Sequence, residues 1–357
     1  MKFNRKNLLA CLEKVYPAVG TNVLVPELQC FYIYDDIIQG HNGSQLIRTF
    51  FSENTEMRCL IPAKSFLFFL RSLKQEIIEL ICKGDDQLIV KAKKVKGKFA
   101  ISKLEKLESL KDRLDRGVST ERDDIDSFID ALNFCKFGVS ADETSGPLCG
   151  VRVRGDKVYS TDRIRILRAL LKKNLPLKDV DCSLPVKFVD ILQKCKKEIR
   201  KLSYVKDTYF TVILEDNTII STPVLLGDYL DLEKFIPAPE GFKSLDFVDD
   251  FSEVLDRHIN FQSTVDTIDK SIEVSVSATG CVFTTVTDTD RLEEEVEISL
   301  ELLSDEVFSF SVNPVFFKDI ARKCFSLKYF TEDNLILFEE TDYYFLVKGR
   351  STSAKGK

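Results

Sequence analysis

The chain has 357 residues, enough for two or three domains, and 44% of them are hydrophobic, enough to give each domain a core. No apolar run nears the roughly 18 residues of a membrane span, and the start Met1-Lys-Phe-Asn-Arg-Lys-Asn7 lacks the apolar segment of a signal peptide, so a cytoplasmic protein without membrane contact is expected. The net charge of −6 argues, as an average, against a nucleic-acid binder. Placement matters more than the average, and acid gathers in Asp112–Asp130, Asp246–Asp256 and Asp288–Glu306 while base gathers in Lys91–Lys98 and Lys187–Lys206. A polarised surface follows.

In chain order, the first element is an amphipathic helix carrying Leu8, Leu9, Leu12 and Val15. A second helix opens with proline, Pro62-Ala-Lys-Ser-Phe-Leu-Phe-Phe-Leu-Arg-Ser-Leu73, and its stripe is Phe66, Phe69, Leu70 and Leu73. The same order then recurs. Ile125, Phe128, Ile129 and Leu132 form an amphipathic helix, Val151–Val153 and Lys157–Tyr159 form a hairpin about Gly155-Asp156, and Pro185-Val-Lys-Phe-Val-Asp-Ile-Leu-Gln-Lys-Cys195 repeats the proline-led helix. Tyr209–Leu214 turns at Asp216-Asn217 into Thr218–Ile220. A third round has Val248, Phe251 and Leu255, the hairpin Ile272–Val276 with Val282–Val286, and Pro314-Val-Phe-Phe-Lys-Asp-Ile-Ala-Arg-Lys-Cys324. The three prolines lie 123 and 129 residues apart, a domain's spacing rather than a solenoid's. The prediction is an α+β chain of three repeated modules, 1–117, 118–240 and 241–350, with a polar tail at 351–357.

Little in the sequence suggests catalysis. No P-loop, Gly-x-Gly-x-x-Gly or Ser-His-Asp order is present, and the histidines are His41, in a Gly40–Gly43 turn, and His258. The acidic run Asp288–Glu295 lacks the spacing of a calcium loop and reads as a solvated edge. Ten scattered cysteines without a Cys-x-x-Cys pair read as reduced thiols, so no metal, cofactor or disulfide framework is expected. The basic residues say more. A helical wheel puts Lys194, Lys197, Arg200 and Lys201 opposite the apolar stripe of the second proline-led helix, Lys64 and Arg71 likewise in the first, and Arg322 and Lys323 beside the far side in the third. A charged outer face is ordinary for one helix; three with the same bias point to a shared polyanion-facing surface. For Lys91–Lys98 a solvated hairpin and a phosphate contact both stay open.

Several stretches resemble the bacterial DNA polymerase III sliding clamp, the beta subunit. Met1-Lys-Phe with the Leu8–Val15 helix and Val25-Pro26-Glu-Leu28 is similar to the clamp amino terminus, and Leu60-Ile-Pro-Ala-Lys-Ser-Phe66 to its Val-Pro-Ala-Arg-x-Phe. Ser160-Thr-Asp-Arg-Ile-Arg-Ile166 resembles Ala-Thr-Asp-Gly-His-Arg-Leu. Gly227-Asp-Tyr-Leu-Asp-Leu-Glu-Lys-Phe-Ile-Pro237 aligns without gaps with Gly-Arg-Phe-Pro-Asp-Tyr-x-x-Val-Leu-Pro. Departures are Arg163-Ile164 for Gly-His, Val347-Lys-Gly-Arg350 for the carboxy-terminal Met-Pro-Met-Arg-Leu, and Asn22 near the place of a DNA-contacting arginine. Such departures are what a divergent, for instance phage-encoded, clamp would show.

The resemblance implies a clamp fold, two chains of three modules closing a six-module ring around double-stranded DNA, and partners that include a DNA polymerase and a clamp loader. It implies a partner-peptide pocket walled by Leu148, Thr161, Arg165, Ile166, Pro237, Phe345, Leu346 and Val347. Unpaired strand edges invite association, so the homodimer interface is expected where an edge strand near Phe99-Ala-Ile101 meets the start of the module-three sheet near Ile259–Phe261. The competing readings are a monomeric or trimeric clamp, an enzyme with a cryptic carboxylate site, and a scaffold that never meets DNA.

Overall fold

The structure is a computed structural model, and it describes the chain apart from residues 108–109, 111–112, 114–117, 120–121, 172–176, 178, 237–242, 248–251, 264–270, 278–279, 288, 300–307, 322–325, 331–334, 340–341 and 349–357. Among the described residues six α-helices stand among antiparallel strands: α1 Arg5–Val15, α2 Ala63–Ser72, α3 Arg122–Cys135, α4 Val186–Lys194, α5 Ser252–Ser263 and α6 Pro314–Ala321. Local chemistry sets several ends. Asn4 caps α1 by accepting from the backbone N–H groups of Lys6 and Asn7 at 2.9 and 3.3 Å. Pro62 and Pro185 sit one residue ahead of α2 and α4 in extended conformation, where a missing N–H costs no hydrogen bond; Pro314 is the first residue of α6.

The chain divides into two compact units, Met1–Asp130 with Lys172–Leu226, and Ala131–Leu171 with Gly227–Lys357, and it crosses between them within α3. The first unit holds a four-stranded sheet in the order Lys2–Asn4, Ile77–Lys83, Gln87–Ala92, Val95–Ala100. Its nine-stranded sheet joins sequence-distant segments: Ile219–Pro223 pairs with Leu46–Phe50, Ile220 lying opposite Ile47, and the hydroxyls of Thr49 and Thr218 meet at 2.8 Å. The expected stripes are inside. Leu8, Leu12, Val15, Phe66, Leu70, Phe188 and Leu192 are buried, and Phe128 and Phe188 pack on Phe210 with ring centroids 6.0 and 6.1 Å apart. Phe69 of α2 lies across Gly97, where a Cβ would come within 2.7 Å of its ring, so a side chain at that strand position would push the ring aside.

In the second unit the strands Gly150–Arg154, Lys157–Thr161 and Arg165–Leu170 continue into Tyr343–Lys348, Leu335–Glu339, Ser326–Phe330 and Lys243–Phe247. A separate four-stranded sheet runs Arg291–Val296, Gly280–Val286, Ile272–Ser277, Phe308–Val312. Phe310, Phe317, Phe338 and Phe345 build one core, Phe317 meeting Phe338 edge-on at 5.0 Å. On α5 the buried residues are Ser252, Val254, Leu255, His258 and Gln262; Val248 and Phe251 lie outside the described residues.

Candidate peptide pocket and edge strands

A cavity of about 400 Å³ opens in the second unit, lined by Thr161, Arg163, Ile164, Ile166, Leu230, Leu232, Phe235, Leu335, Leu346 and Lys348. Its floor is a sheet face: Ile166 pairs with Leu346, Leu346 with Leu337 and Lys348 with Leu335. Alternation along a strand sends Leu346 and Lys348 to this face and their neighbours to the other. The wall is the turn Leu232–Phe235, anchored from behind by Glu233, which accepts hydrogen bonds from Lys157 at 2.8 Å and from the Tyr159 hydroxyl and is approached by Arg168 at 3.4 Å. Burial works against the Glu233 anion, but Lys157 and Tyr159 hold its carboxyl below the usual glutamate range.

The lip of the cavity is the tight turn after Thr161. Arg163 lies at φ 75°, a left-handed conformation that usually calls for glycine. Side chains enforce it. The Thr161 hydroxyl accepts from Arg163 N–H at 3.0 Å and donates to Arg165 C=O at 2.7 Å, while one Asp162 oxygen accepts from Ile164 and Arg165 N–H, both at 3.0 Å. Ile164, Leu230 and Phe235 are exposed around the mouth.

Of the residues expected to wall a pocket, Thr161, Ile166 and Leu346 line this cavity. Four others do not. Phe345 and Val347 point to the opposite face of their strand and are buried there, Phe345 against Phe338 at 6.0 Å. Arg165, opposite Val347 in register, turns the same way: its Nε donates to Asp162 at 2.9 Å and its guanidinium sits 3.9 Å over the Phe316 ring. Leu148 is buried in the turn Glu143–Cys149, away from the lining. Pro237 lies outside the described residues. Leu230, Leu232, Phe235 and Leu335 escaped the sequence reading, although the apolar positions within Leu230–Ile236 were a visible signal.

The basic residues are arranged differently from the helical-wheel expectation. Helix α4 ends at Lys194, so Lys197 falls in the turn Lys196–Glu198, and Arg200 and Lys201 lie on the strand Ile199–Val205. Cys195, which follows Lys194, has left helical geometry, and a 100° step cannot be carried past it. Lys64, Lys194 and Lys197 are exposed; Arg71 donates to Glu13 at 2.8 Å and Arg200 to Asn217 at 3.0 Å. Lys187, also exposed, shares the solvent face of α4 with Lys194. Lys14 lies 2.9 Å from Glu198 and 2.7 Å from Asp216, which neutralises it. Arg322 and Lys323 lie outside the described residues.

The edges also need correction. Val95–Ala100 is an edge strand, and Phe99 is half-buried against Phe66 and Phe69, each centroid 5.3 Å away; Ile101 is buried. Ile259 and Phe261, however, are helical, within α5, and begin no strand. The four-stranded sheet of the second unit has Arg291–Val296 at one edge and Phe308–Val312 at the other, and sequence reasoning took the first only as solvated acid. The register of Arg291–Val296 with Gly280–Val286 places Glu294 and Val296 on the face of buried Phe283 and Cys281, and Glu293 and Glu295 on the exposed face. The first unit's edge strand likewise exposes Lys96 and Lys98.

Among the described residues no group of His, Cys, Asp and Glu could hold a metal ion, and no helix is long and apolar enough to cross a membrane. The described cysteines are free thiols, and burial pushes those of Cys59, Cys195 and Cys281 up to about 12.

Whole-chain comparison gives the fold its class: it is that of the DNA sliding clamps. More particularly it is that of the bacterial DNA polymerase III beta chain. The beta subunit of the Streptococcus pyogenes DNA polymerase superposes with a TM-score of 0.83 at 15% identity, covering 98% of this chain and 99% of that one. The DNA polymerase III beta subunit of Thermotoga maritima gives 0.79 at 15% over 99% of both. A sliding clamp from Bartonella birtlesii bound to griselimycin gives 0.82 at 17%, covering 98% and 99%. No protein-family model matches the chain, and no curated protein matches it in sequence.

Proposed function

We propose that the protein is a replicative sliding clamp: two copies close a ring of six modules around duplex DNA and tether a polymerase, without catalysing a reaction themselves. The observation that carries this reading is the agreement of fold over 98% of the chain and 99% of the Streptococcus pyogenes clamp. The modules are 1–117, 118–240 and 241–350. The exposed Lys64, Lys187, Lys194 and Lys197 face the DNA, whose charge of one per about 1.7 Å of axis lets scattered cations centre the ring without reading sequence. A cytoplasmic site of action and a clamp loader as further partner belong to the same reading.

The cavity between Ile166, Leu346 and the Leu232–Phe235 turn receives the peptide of the partner. A large apolar side chain buried there contributes roughly 1.5–3 kcal/mol, so two or three anchors supply about 3–9 kcal/mol, and micromolar affinity, about −8 kcal/mol after ordering costs, also needs backbone hydrogen bonds to the peptide. The two copies meet where the edge strand Val95–Ala100 of one pairs with Arg291–Val296 of the other, bringing Lys96 and Lys98 against Glu293 and Glu295. Sedimentation tests the assembly: a species of twice 40.8 kDa is expected, and a persistent monomer at micromolar concentration would refute the ring.

A further inference from the structure

The cavity is apolar in its floor but not on its lip. Arg163 and Lys348 are its two charged lining residues, and both are exposed. They stand on adjoining segments, since Lys348 N–H donates to Ile164 C=O at 3.2 Å. Neither side chain makes an ion pair or hydrogen bond among the described residues. Nearby cations are consumed elsewhere: Arg165 by Asp162 at 2.9 Å, and Lys157 and Arg168 by Glu233 at 2.8 and 3.4 Å. The carboxylate that feels Arg163 is Asp142, held below the usual aspartate range first by its hydrogen bonds from Thr144 and only lastly by Arg163; it forms no ion pair with that residue. Among the described residues no carboxylate lines the cavity.

Two uncommitted cations on the rim of an apolar groove, with no acid among its described lining residues, define a ligand by complementarity. Resting on the reading of this cavity as the partner site, we infer that it selects an acidic apolar peptide, one with two large apolar side chains flanked by carboxylates that reach Arg163 and Lys348. The apolar anchors supply the affinity and the carboxylates the choice among partners. Arg163 is the telling residue, because it lines the cavity from a left-handed position where glycine would be easier.

Calorimetry on the full-length protein with three synthetic peptides tests this: Ac-Ala-Leu-Glu-Leu-Phe-Glu-NH2 and its counterparts with both Glu replaced by Gln or by Lys. At low salt the acidic peptide should bind about three- to tenfold more tightly than the Gln peptide, the sum of two exposed ion pairs. The ratio should fall towards one at 1 M salt, where the screening length is about 3 Å. R163Q with K348Q should collapse the ratio, and R163E with K348E should invert the order in favour of the Lys peptide. Equal binding of all three peptides at low salt would overturn the inference and leave the cavity as the partner site. Binding by none would overturn both. An acidic preference that survives R163Q with K348Q would place the selecting cations elsewhere and also refute it.

Discussion

Reversing Lys96 and Lys98 to glutamate probes the proposed subunit contact at its most specific feature. Both side chains are exposed on the outer face of the edge strand Val95–Ala100, while Phe99 on the inner face packs on Phe66 and Phe69 and is left untouched. An opposite-charge pair across antiparallel strands contributes about 0.2–1 kcal/mol, and reversal replaces it with a repulsion of similar size. With Glu293 and Glu295 opposite, each contact has two such pairs and a two-fold dimer has two contacts. The expected loss is roughly 1.6–8 kcal/mol of association free energy, at least about a tenfold rise in Kd by the usual tenfold per 1.4 kcal/mol. The lower part of that range is the better guide, because Glu293 also pairs with Arg291 within its own chain. Sedimentation equilibrium measures the change, with circular dichroism confirming that the fold persists. Adding E293K and E295K should restore the dimer. If K96E with K98E leaves Kd unchanged, or the four-fold variant fails to recover, these edges do not meet.

Three further outcomes concern the monomer. Arg163→Gly should stabilise the chain by roughly 0.5–1 kcal/mol in thermal unfolding, because relieving a left-handed Cβ gains about 1–2 kcal/mol and glycine's unfolded-state freedom returns part of it; a loss of stability would show that the turn is not strained. Phe345→Ala should cost about 3–5 kcal/mol in urea unfolding, since the ring is buried in the core beside Phe338; a cost below 1 kcal/mol would put the side chain back in the cavity. His258 is buried, its Nδ1 is 2.7 Å from the Thr285 hydroxyl, and burial lowers its pKa. A base with a depressed folded pKa binds its proton more readily when unfolded, so stability should fall as pH drops below the ordinary histidine value of about 6.5 and level off below the folded pKa. His258→Gln should flatten that fall, and an unchanged profile would assign it to other groups.

The period of the apolar pattern made the helices legible. Phe66 and Leu70 lie at helical spacing on α2, with Leu73 one residue past its end, and Phe188, Ile191 and Leu192 on α4. The same logic was carried too far at Lys197, Arg200 and Lys201, because nothing in the spacing of lysines marks where a helix stops. Around the cavity, Thr161, Ile166 and Leu346 were accessible through short motifs. Phe345 and Val347 were read as neighbours of Leu346 although a strand turns every second residue away. Leu335 comes from a different strand, and only pairing brings it beside Lys348. Ile259 and Phe261 looked like the start of a sheet, yet buried Val254, Leu255, His258 and Gln262 carry the helical period through that segment. The acidic edge was visible as Glu293–Glu295, but its meaning depends on which sheet it borders.

The claim that the protein encircles DNA is tested by topology. The dimer is diluted until its copies separate and reconcentrated with nicked circular plasmid, and salt is then raised to 0.5 M to break exposed ion pairs with phosphate. Retention of protein on the circle through gel filtration, followed by release when a restriction enzyme cuts the plasmid, is the expected result. Equal loss from circular and linear DNA at that salt would contradict encirclement.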